Sequence, residues 1–176
     1  MITFSLSGAS GLLCRSGSVA LDVFPSGKVA EGCTALLSVP EEVPAKGVIS
    51  WPGEYDIGGA SIHGIGQKEG QQVSYVIELD GVRCTFLSSP LQDWTDYELE
   101  LLGDTDVLVV AAEKPKVLQK IVEEIDPRMV VIMPVDGKIE AGVVAACGGE
   151  GVEPTKEFKL KGSLPQEGRQ VVVLQG

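Results

Sequence analysis

The sequence predicts a mixed α/β (α+β) domain, with antiparallel strands first and strand–helix–strand units after them. Two observations support this class. Short alternating runs joined by tight turns fill the first half of the chain, and buried strands alternate with amphipathic helices in the second half. The length of 176 residues favours one domain, residues 1–176, that is large enough for a substantial core.

The chain begins with a predicted antiparallel meander. The runs that predict strands are residues 2–6, 12–14 and 19–24. Gly-containing turns separate these runs, and Pro25 ends the third. The next run, residues 34–39, is almost continuously apolar, which is typical of a strand covered on both faces.

Residues 51–66 join a rigid turn to a short strand. Pro52-Gly53 is a strong turn signal, since proline restricts φ and glycine accepts a positive φ. Gly58-Gly59 allows the backbone to fold back before a predicted strand at residues 60–65, which contains the only histidine, His63. The glycines of this stretch indicate close approach of backbone segments rather than a flexible linker.

The second half begins with the strongest hairpin signal, Asp80-Gly81 between the alternating runs 72–79 and 82–87. Thr95 and Glu98 have capping-box spacing for a helix that ends at Gly103. The elements predicted after it are strand 106–111, helix 115–125, strand 129–133, a short helix within 139–147, and strands 157–160 and 170–174. The unit from 106 to 133 is typical of a parallel crossover.

The composition excludes several classes of function. The net charge of −11 disfavours nucleic acid and anionic membranes as partners, because phosphate groups repel an acidic surface. No apolar run is long enough for a membrane helix, and the first residues do not form a signal peptide, so we expect a cytoplasmic protein. Four scattered cysteines without a C-x-x-C pair indicate reduced, mostly buried thiols.

The segment Pro52-Gly53-Glu54-Tyr55-Asp56-Ile57-Gly58-Gly59, leading into a strand, resembles the Pro-Gly-Glu-Tyr-Glu segment of small metallo-β-lactamase-fold proteins. These are the group related to L-ascorbate-6-phosphate lactonase-like Zn-dependent hydrolases. The meander ending at Leu21-Asp22, the strand entry at 103–108 and the strand at 126–132 resemble the same group in the same order. The resemblance implies a metallo-β-lactamase-like αββα four-layer sandwich, trimmed in this short chain, with a metal site at one edge of the two sheets.

The resemblance also implies metal ligands that this chain does not have. Members of the group hold zinc, manganese or iron with an H-x-H-x-D-H loop and further histidines, whereas this chain has one histidine. The segments of this chain at the positions where the resemblance implies metal ligands are Ser38-Val39-Pro40-Glu41-Glu42, Gly8-Ala9, Phe86-Leu87-Ser88-Ser89 and Met133-Pro134-Val135. We therefore predict a degenerate member without metal or other cofactor, in which the apolar Phe86 and Val135 help to fill the vacated site.

Four residues remain as candidate binding residues: Asp22, Glu54, His63 and Asp136. His63 is a candidate lone ligand or general base near neutral pH, or a surface residue without function. Oxygen ligands alone hold Mg²⁺ or Ca²⁺, so the acids near strand ends and turns are candidates for a rebuilt metal site, namely Asp22, Glu54, Asp56 and Asp136. The alternative interpretation is purely structural, with aspartates that cap turns and a buried Glu54 bonded to backbone amides.

Three further side chains are interpreted as structural. Ser88 and Ser89 precede the predicted helix, which favours capping over a nucleophilic role because no histidine is near in sequence. Cys84 lies within an alternating strand and is predicted to be a buried, inert thiol.

Three functional hypotheses follow. The first is a catalytically silent metallo-β-lactamase-fold protein that acts as a binding or assembly module for an unidentified small molecule or protein partner. The second is a hydrolase of phosphorylated or cyclic small molecules with a rebuilt site around Glu54, His63 and Asp136. The third is a homo-oligomeric structural protein whose contact is an exposed strand edge or Trp51.

Overall fold

Thirteen strands form two sheets in the computed structural model, which describes residues 1–176. In spatial order, sheet A contains β12 (Glu157–Leu160), β1 (Ile2–Ser7), β2 (Gly11–Ser16), β3 (Val19–Val23), β4 (Thr34–Leu36) and β5 (Val48–Ile49). Sheet B contains β13 (Gln170–Val173), β11 (Met129–Met133), β10 (Val107–Ala111), β9 (Val82–Phe86), β8 (Gln72–Leu79), β7 (Ala60–Gln67) and β6 (Gly53–Ile57). The helices are α1 (Asp96–Leu102), α2 (Pro115–Ile125) and α3 (Val143–Ala146).

The predicted meander and hairpin are confirmed. Strands β1, β2 and β3 pair antiparallel in sequence order. Strands β8 and β9 form the hairpin, with Leu79 opposite Val82. Asp80 and Gly81 have φ of 52° and 75°, which places both turn residues in the left-handed region that a type I′ turn requires.

The predicted helices of the α/β half are also confirmed. Helix α1 begins after Thr95, whose hydroxyl accepts from the backbone N–H of Glu98, and the Glu98 carboxylate accepts from the backbone N–H of Thr95. Helix α2 begins at Pro115, whose missing N–H costs nothing at a helix start. Strands β9, β10 and β11 run parallel, as the crossover prediction requires.

The core consists of two apolar layers. One lies between the sheets, where Phe4, Leu21, Ile62, Tyr75 and Phe86 are fully buried. The other lies between sheet B and the helices and includes buried residues from α1, α2 and α3. All three helices contribute to this second layer, so the outer face of sheet A has no helix. The layer of the four-layer sandwich that is missing here is therefore the helix layer over sheet A.

Three predicted elements differ from the structure in type or by more than two residues at one end. The run 34–39 forms a strand only over Thr34–Leu36, because the chain then crosses to sheet B, where the Ser38 carbonyl accepts from the N–H of Val73. Residues Gly53–Ile57 are a strand rather than only a turn, since Gly58-Gly59 closes a hairpin that pairs them with β7. The helix within 139–147 is shortened to Val143–Ala146, because Gly142 adopts φ 86°.

Gly64 provides a test of the predicted close backbone approach. A Cβ at this position would lie 3.1 Å from the Trp51 carbonyl oxygen and 3.3 Å from the Pro52 Cα, and these backbone atoms have little freedom to move. We expect Gly64→Ala to lower the free energy of unfolding by about 1–3 kcal/mol, measured by urea denaturation. Gly27→Ala is the matched control, since a Cβ there meets nothing within 4 Å. Equal stability of the two variants would contradict the close approach.

Candidate functional site

Four chain segments that are distant in sequence meet at one end of the two sheets. They are the segments in which the resemblance implies metal ligands, and three of them line a cavity of about 160 Å³. Its lining residues are Ser10, Phe24, Ser38, Leu87, Ser89, Ala111, Met133, Pro134 and Val135. A neighbouring cavity of about 380 Å³ shares Pro134 and is also lined by Gly8 and Ala9. We call the two cavities together the strand-end cleft.

The lining of the strand-end cleft does not fit a transition-metal site. Its smaller cavity offers three serine hydroxyls among apolar side chains, whereas zinc takes imidazole, thiolate or carboxylate ligands. No group of three or more histidine, cysteine, aspartate or glutamate side chains in the chain is placed to hold a metal ion. Val135 lines this cavity as predicted, but Phe86 is fully buried between the sheets.

Tyr75 holds one wall of the strand-end cleft in place. Its ring is buried between the sheets, and its hydroxyl lies 2.6 Å from the Leu37 carbonyl oxygen and 3.1 Å from that of Ile49. The Phe24 ring packs on the Tyr75 ring with centroids 5.9 Å apart and an angle of 40° between the planes. Phe24 has φ 53°, an uncommon conformation for a bulky residue, which the surrounding packing has to stabilise.

Two carboxylates lie at the rim of the strand-end cleft, each bonded to a lining serine. The Ser10 hydroxyl lies 3.4 Å from an Asp136 carboxylate oxygen and 3.3 Å from the Asp136 backbone nitrogen. The Glu113 carboxylate accepts from the Ser89 hydroxyl at 2.7 Å and from the Leu91 N–H at 2.8 Å. Both carboxylates therefore give the rim hydrogen-bond acceptors and negative charge.

The structure corrects the interpretation of Ser88 and Ser89 as helix caps. The cap of α1 is Thr95, several residues further along the chain. Ser88 is buried, bonded to the Gln72 side-chain amide at 3.0 Å and to the Ser74 hydroxyl at 3.1 Å. Neither serine has a histidine partner, so the structure contains no pair of a serine with its general base.

The candidate binding residues do not form one site. Glu54 and His63 are cross-strand neighbours on β6 and β7. Asp136 follows β11, four strands away from β7 in sheet B, which is roughly 19 Å at about 4.8 Å per strand. Asp22 lies in sheet A, fully buried, and accepts from the Ala30 N–H at 2.8 Å. The rebuilt site around Glu54, His63 and Asp136 is therefore not assembled.

The structural interpretation of these acids is partly confirmed. The Asp56 carboxylate accepts from the N–H of Gly59, which is the expected turn cap. Glu54 is exposed and has no hydrogen bond, so the prediction of a buried Glu54 was wrong. His63 faces the side of the strand opposite Ile62, as predicted, and is half-buried.

Sequence reasoning missed Tyr75, Phe24 and Glu113 as determinants of the strand-end cleft. Tyr75 alternates within its strand like any core residue, and its hydroxyl partners lie 38 and 26 residues away. The one local signal was Pro25 directly after Phe24, which marks a strand end.

Known structures share this architecture over nearly the whole chain. A proposed Zn-dependent hydrolase of the metallo-β-lactamase superfamily from Thermotoga maritima superposes with a TM-score of 0.75 and 17% identity, covering 99% of both chains. The protein has the metallo-β-lactamase fold. The metallo-β-lactamase fold protein YhfI from Bacillus subtilis gives a TM-score of 0.67 at 8% identity, covering 99% of this chain and 96% of its own.

A third similar structure is that of Igni18, a metallo hydrolase from the hyperthermophilic archaeon Ignicoccus hospitalis. Its TM-score is 0.54 at 11% identity, with coverage of 91% of this chain and 99% of its own. No protein-family model and no curated protein sequence matches the chain. The metallo-β-lactamase fold thus occurs here with the strand-end cleft but without a metal-binding group.

None of the three helices has the length and the apolar composition of a membrane-spanning helix.

Replacing Tyr75 tests its role at the strand-end cleft. We expect Tyr75→Phe to lower the free energy of unfolding by about 1–3 kcal/mol, because the Leu37 carbonyl loses the hydroxyl that donates to it, whereas the Ile49 carbonyl still accepts from the Leu37 N–H. Tyr97→Phe removes the same hydroxyl from a side chain that is 69% exposed, and we expect a change within about 0.5 kcal/mol. Chemical denaturation of both variants measures the difference, and equal values would remove the structural role assigned to Tyr75.

The cysteines provide a second test. Burial raises the pKa of the Cys14 thiol to about 12 and that of Cys147 to about 11, and it raises the pKa of Cys84 well above its ordinary value. These thiols therefore stay protonated at pH 8, and the thiolate is the reactive form. We expect an aromatic disulfide reagent to label only the half-buried Cys33 in the native protein and all four cysteines in denaturant. Rapid native labelling of a second thiol would contradict this burial.

Proposed function

We propose that the protein is a catalytically silent metallo-β-lactamase-fold protein that binds a small molecule in the strand-end cleft without a metal. One observation carries the proposal: the segments implied as metal-ligand positions still converge on a cleft, but they line it with hydroxyl and apolar groups. A cleft with an apolar lining and a few polar groups is the usual form of a small-molecule site. Water activation by a metal would need ligands that this lining does not offer.

The rim favours an uncharged ligand that carries hydroxyl groups. The carboxylates of Asp136 and Glu113 accept hydrogen bonds and repel anions, which disfavours phosphate esters. The Ser38 hydroxyl can donate and accept, and the hydroxyls of Ser10 and Ser89, which donate to the carboxylates, can accept. The side chains of Leu87, Met133 and Val135 provide an apolar surface for a ring. The larger cavity, about 380 Å³, has the volume of small-ligand sites.

The free thiols support a reducing compartment, and we propose a cytoplasmic location. All four cysteines are free, although Cys14 and Cys84 are both buried within the apolar layer between the sheets. Cytosolic redox systems keep such thiols reduced.

An NMR titration with three probes tests the proposed function. The probes are Zn²⁺, an uncharged cyclic polyol and the phosphate ester of the same polyol, added to the full chain with labelled methyl groups. We expect the polyol alone to shift the methyl signals of Leu87, Met133 and Val135, because these side chains line the cleft. We expect Zn²⁺ to leave the spectrum and the unfolding midpoint unchanged, since a bound ion would stabilise the folded state.

Val135→Trp is the informative variant, because the larger side chain fills the cavity and should abolish the polyol shifts. Lys120→Trp adds the same side chain on an exposed position of α2 and is the matched control. Stoichiometric zinc, release of phosphate from the ester or preferential binding of the ester would overturn the proposal in favour of a hydrolase. Absence of polyol binding in wild type and control alike would remove the binding role.

A further inference from the structure

The free edge of sheet B is a surface that the proposed function does not use. Strand β6 is the last strand of sheet B and pairs only with β7. We propose that this edge docks an extended, lysine- or arginine-bearing segment of a partner protein as an additional strand. Three independent features of the edge carry this inference, namely its backbone, an apolar anchor and its charge.

The backbone of β6 offers unpaired hydrogen-bonding groups. The two-residue turn Gly58-Gly59 makes Ile57 and Ala60 the closing hydrogen-bonded pair of the hairpin. Because such pairs alternate along an antiparallel ladder, Tyr55 bonds to β7 while the N–H and C=O groups of Glu54 and Asp56 point away from it. No other backbone group bonds to them. An added strand can therefore form main-chain hydrogen bonds at both residues.

An apolar anchor lies beside the start of β6. Trp51 is 50% exposed, and Val39 and Val43 in the adjoining loop are 61% and 78% exposed. The Trp51 ring is held in place, since its Nε1–H donates to the Glu41 carbonyl at 2.8 Å and the Tyr55 hydroxyl donates to the Trp51 carbonyl at 2.8 Å. A rigid, exposed tryptophan loses little entropy on binding and is the type of residue that dominates protein interfaces.

The negative charge of the edge favours a positively charged partner strand. Glu54 and Asp56 are both exposed on the outer face of sheet B, and neither forms an ion pair within the chain. Antiparallel pairing of β6 with a second copy would place these carboxylates opposite each other, which is destabilising. A partner strand with lysine or arginine at alternate positions would instead place its cations opposite both carboxylates. The charge therefore disfavours the homo-oligomer hypothesis at this edge and favours a basic extended segment.

The experiment uses two short peptides, one alternating lysine with threonine and one alternating glutamate with threonine. Each is added to the full labelled chain, and amide hydrogen exchange and backbone shifts are followed by NMR. We expect the lysine peptide to slow exchange at Glu54 and Asp56 about tenfold or more and to shift the Trp51 indole signal. Equal binding of the glutamate peptide, or shifts that cluster away from β6, would overturn the proposal.

Two pairs of variants separate main-chain from side-chain recognition. Glu54→Pro removes the outward N–H without touching the bonds to β7, and Glu54→Gln removes the same charge but keeps the N–H. We expect the proline variant to bind the lysine peptide about tenfold more weakly than the glutamine variant. The charge reversal Glu54→Lys with Asp56→Lys should abolish binding, whereas Glu100→Lys with Glu124→Lys, an equal change on exposed helical positions, should not.

The charge-reversal pair keeps the proposal testable if the proline variant does not fold. Unchanged binding by Glu54→Lys with Asp56→Lys would overturn it, as would equal loss in the helical control. Light scattering of the chain without peptide tests the competing homo-oligomer, and a dimer that Trp51→Ala dissociates would assign this surface to a second copy instead.

Discussion

The contact between the Tyr75 hydroxyl and the carbonyl groups of Leu37 and Ile49 joins the two sheets at the point where the cleft opens. Leu37 directly follows β4, where the resemblance implies a metal-binding loop, and the carbonyl of the next residue, Ser38, accepts from the Val73 N–H of β8. The hydroxyl gives this crossing a definite geometry, because the Leu37 carbonyl would otherwise be an unsatisfied acceptor next to the core. Phe24, packed on the same ring, lines the smaller cavity.

This arrangement explains how the metallo-β-lactamase fold persists without metal ligands. The apolar layer between the sheets runs from Ile2 to Leu174 and depends on packing at every strand. A metal bound at one edge adds to such a core but does not create it. This end of the sheets is therefore a packed, hydroxyl-lined cleft without imidazole ligands, and Tyr75 and its partners fix its wall.

The cleft and the free edge of β6 suit different ligands. The cleft has apolar walls and acceptor groups bonded to serines, which suits an uncharged small molecule. The edge has free backbone groups, a fixed tryptophan and carboxylates without ion pairs, which suits a basic extended chain. Neither surface combines a nucleophile with a general base.

The sequence by itself determined the local structure: the Asp80-Gly81 hairpin, the Thr95 capping box, the span of α2 and the shortage of imidazole ligands. These features depend on turn dihedral angles, side-chain period and residue chemistry, all of which are read within a few positions. Only the tertiary structure decided that Glu54 is exposed, that β6 is an edge strand, that no helix covers sheet A, and which side chains line the cleft. Those outcomes depend on contacts between residues far apart in the chain, such as Tyr75 with Leu37, and local sequence patterns do not encode which distant backbone atoms a side chain will meet.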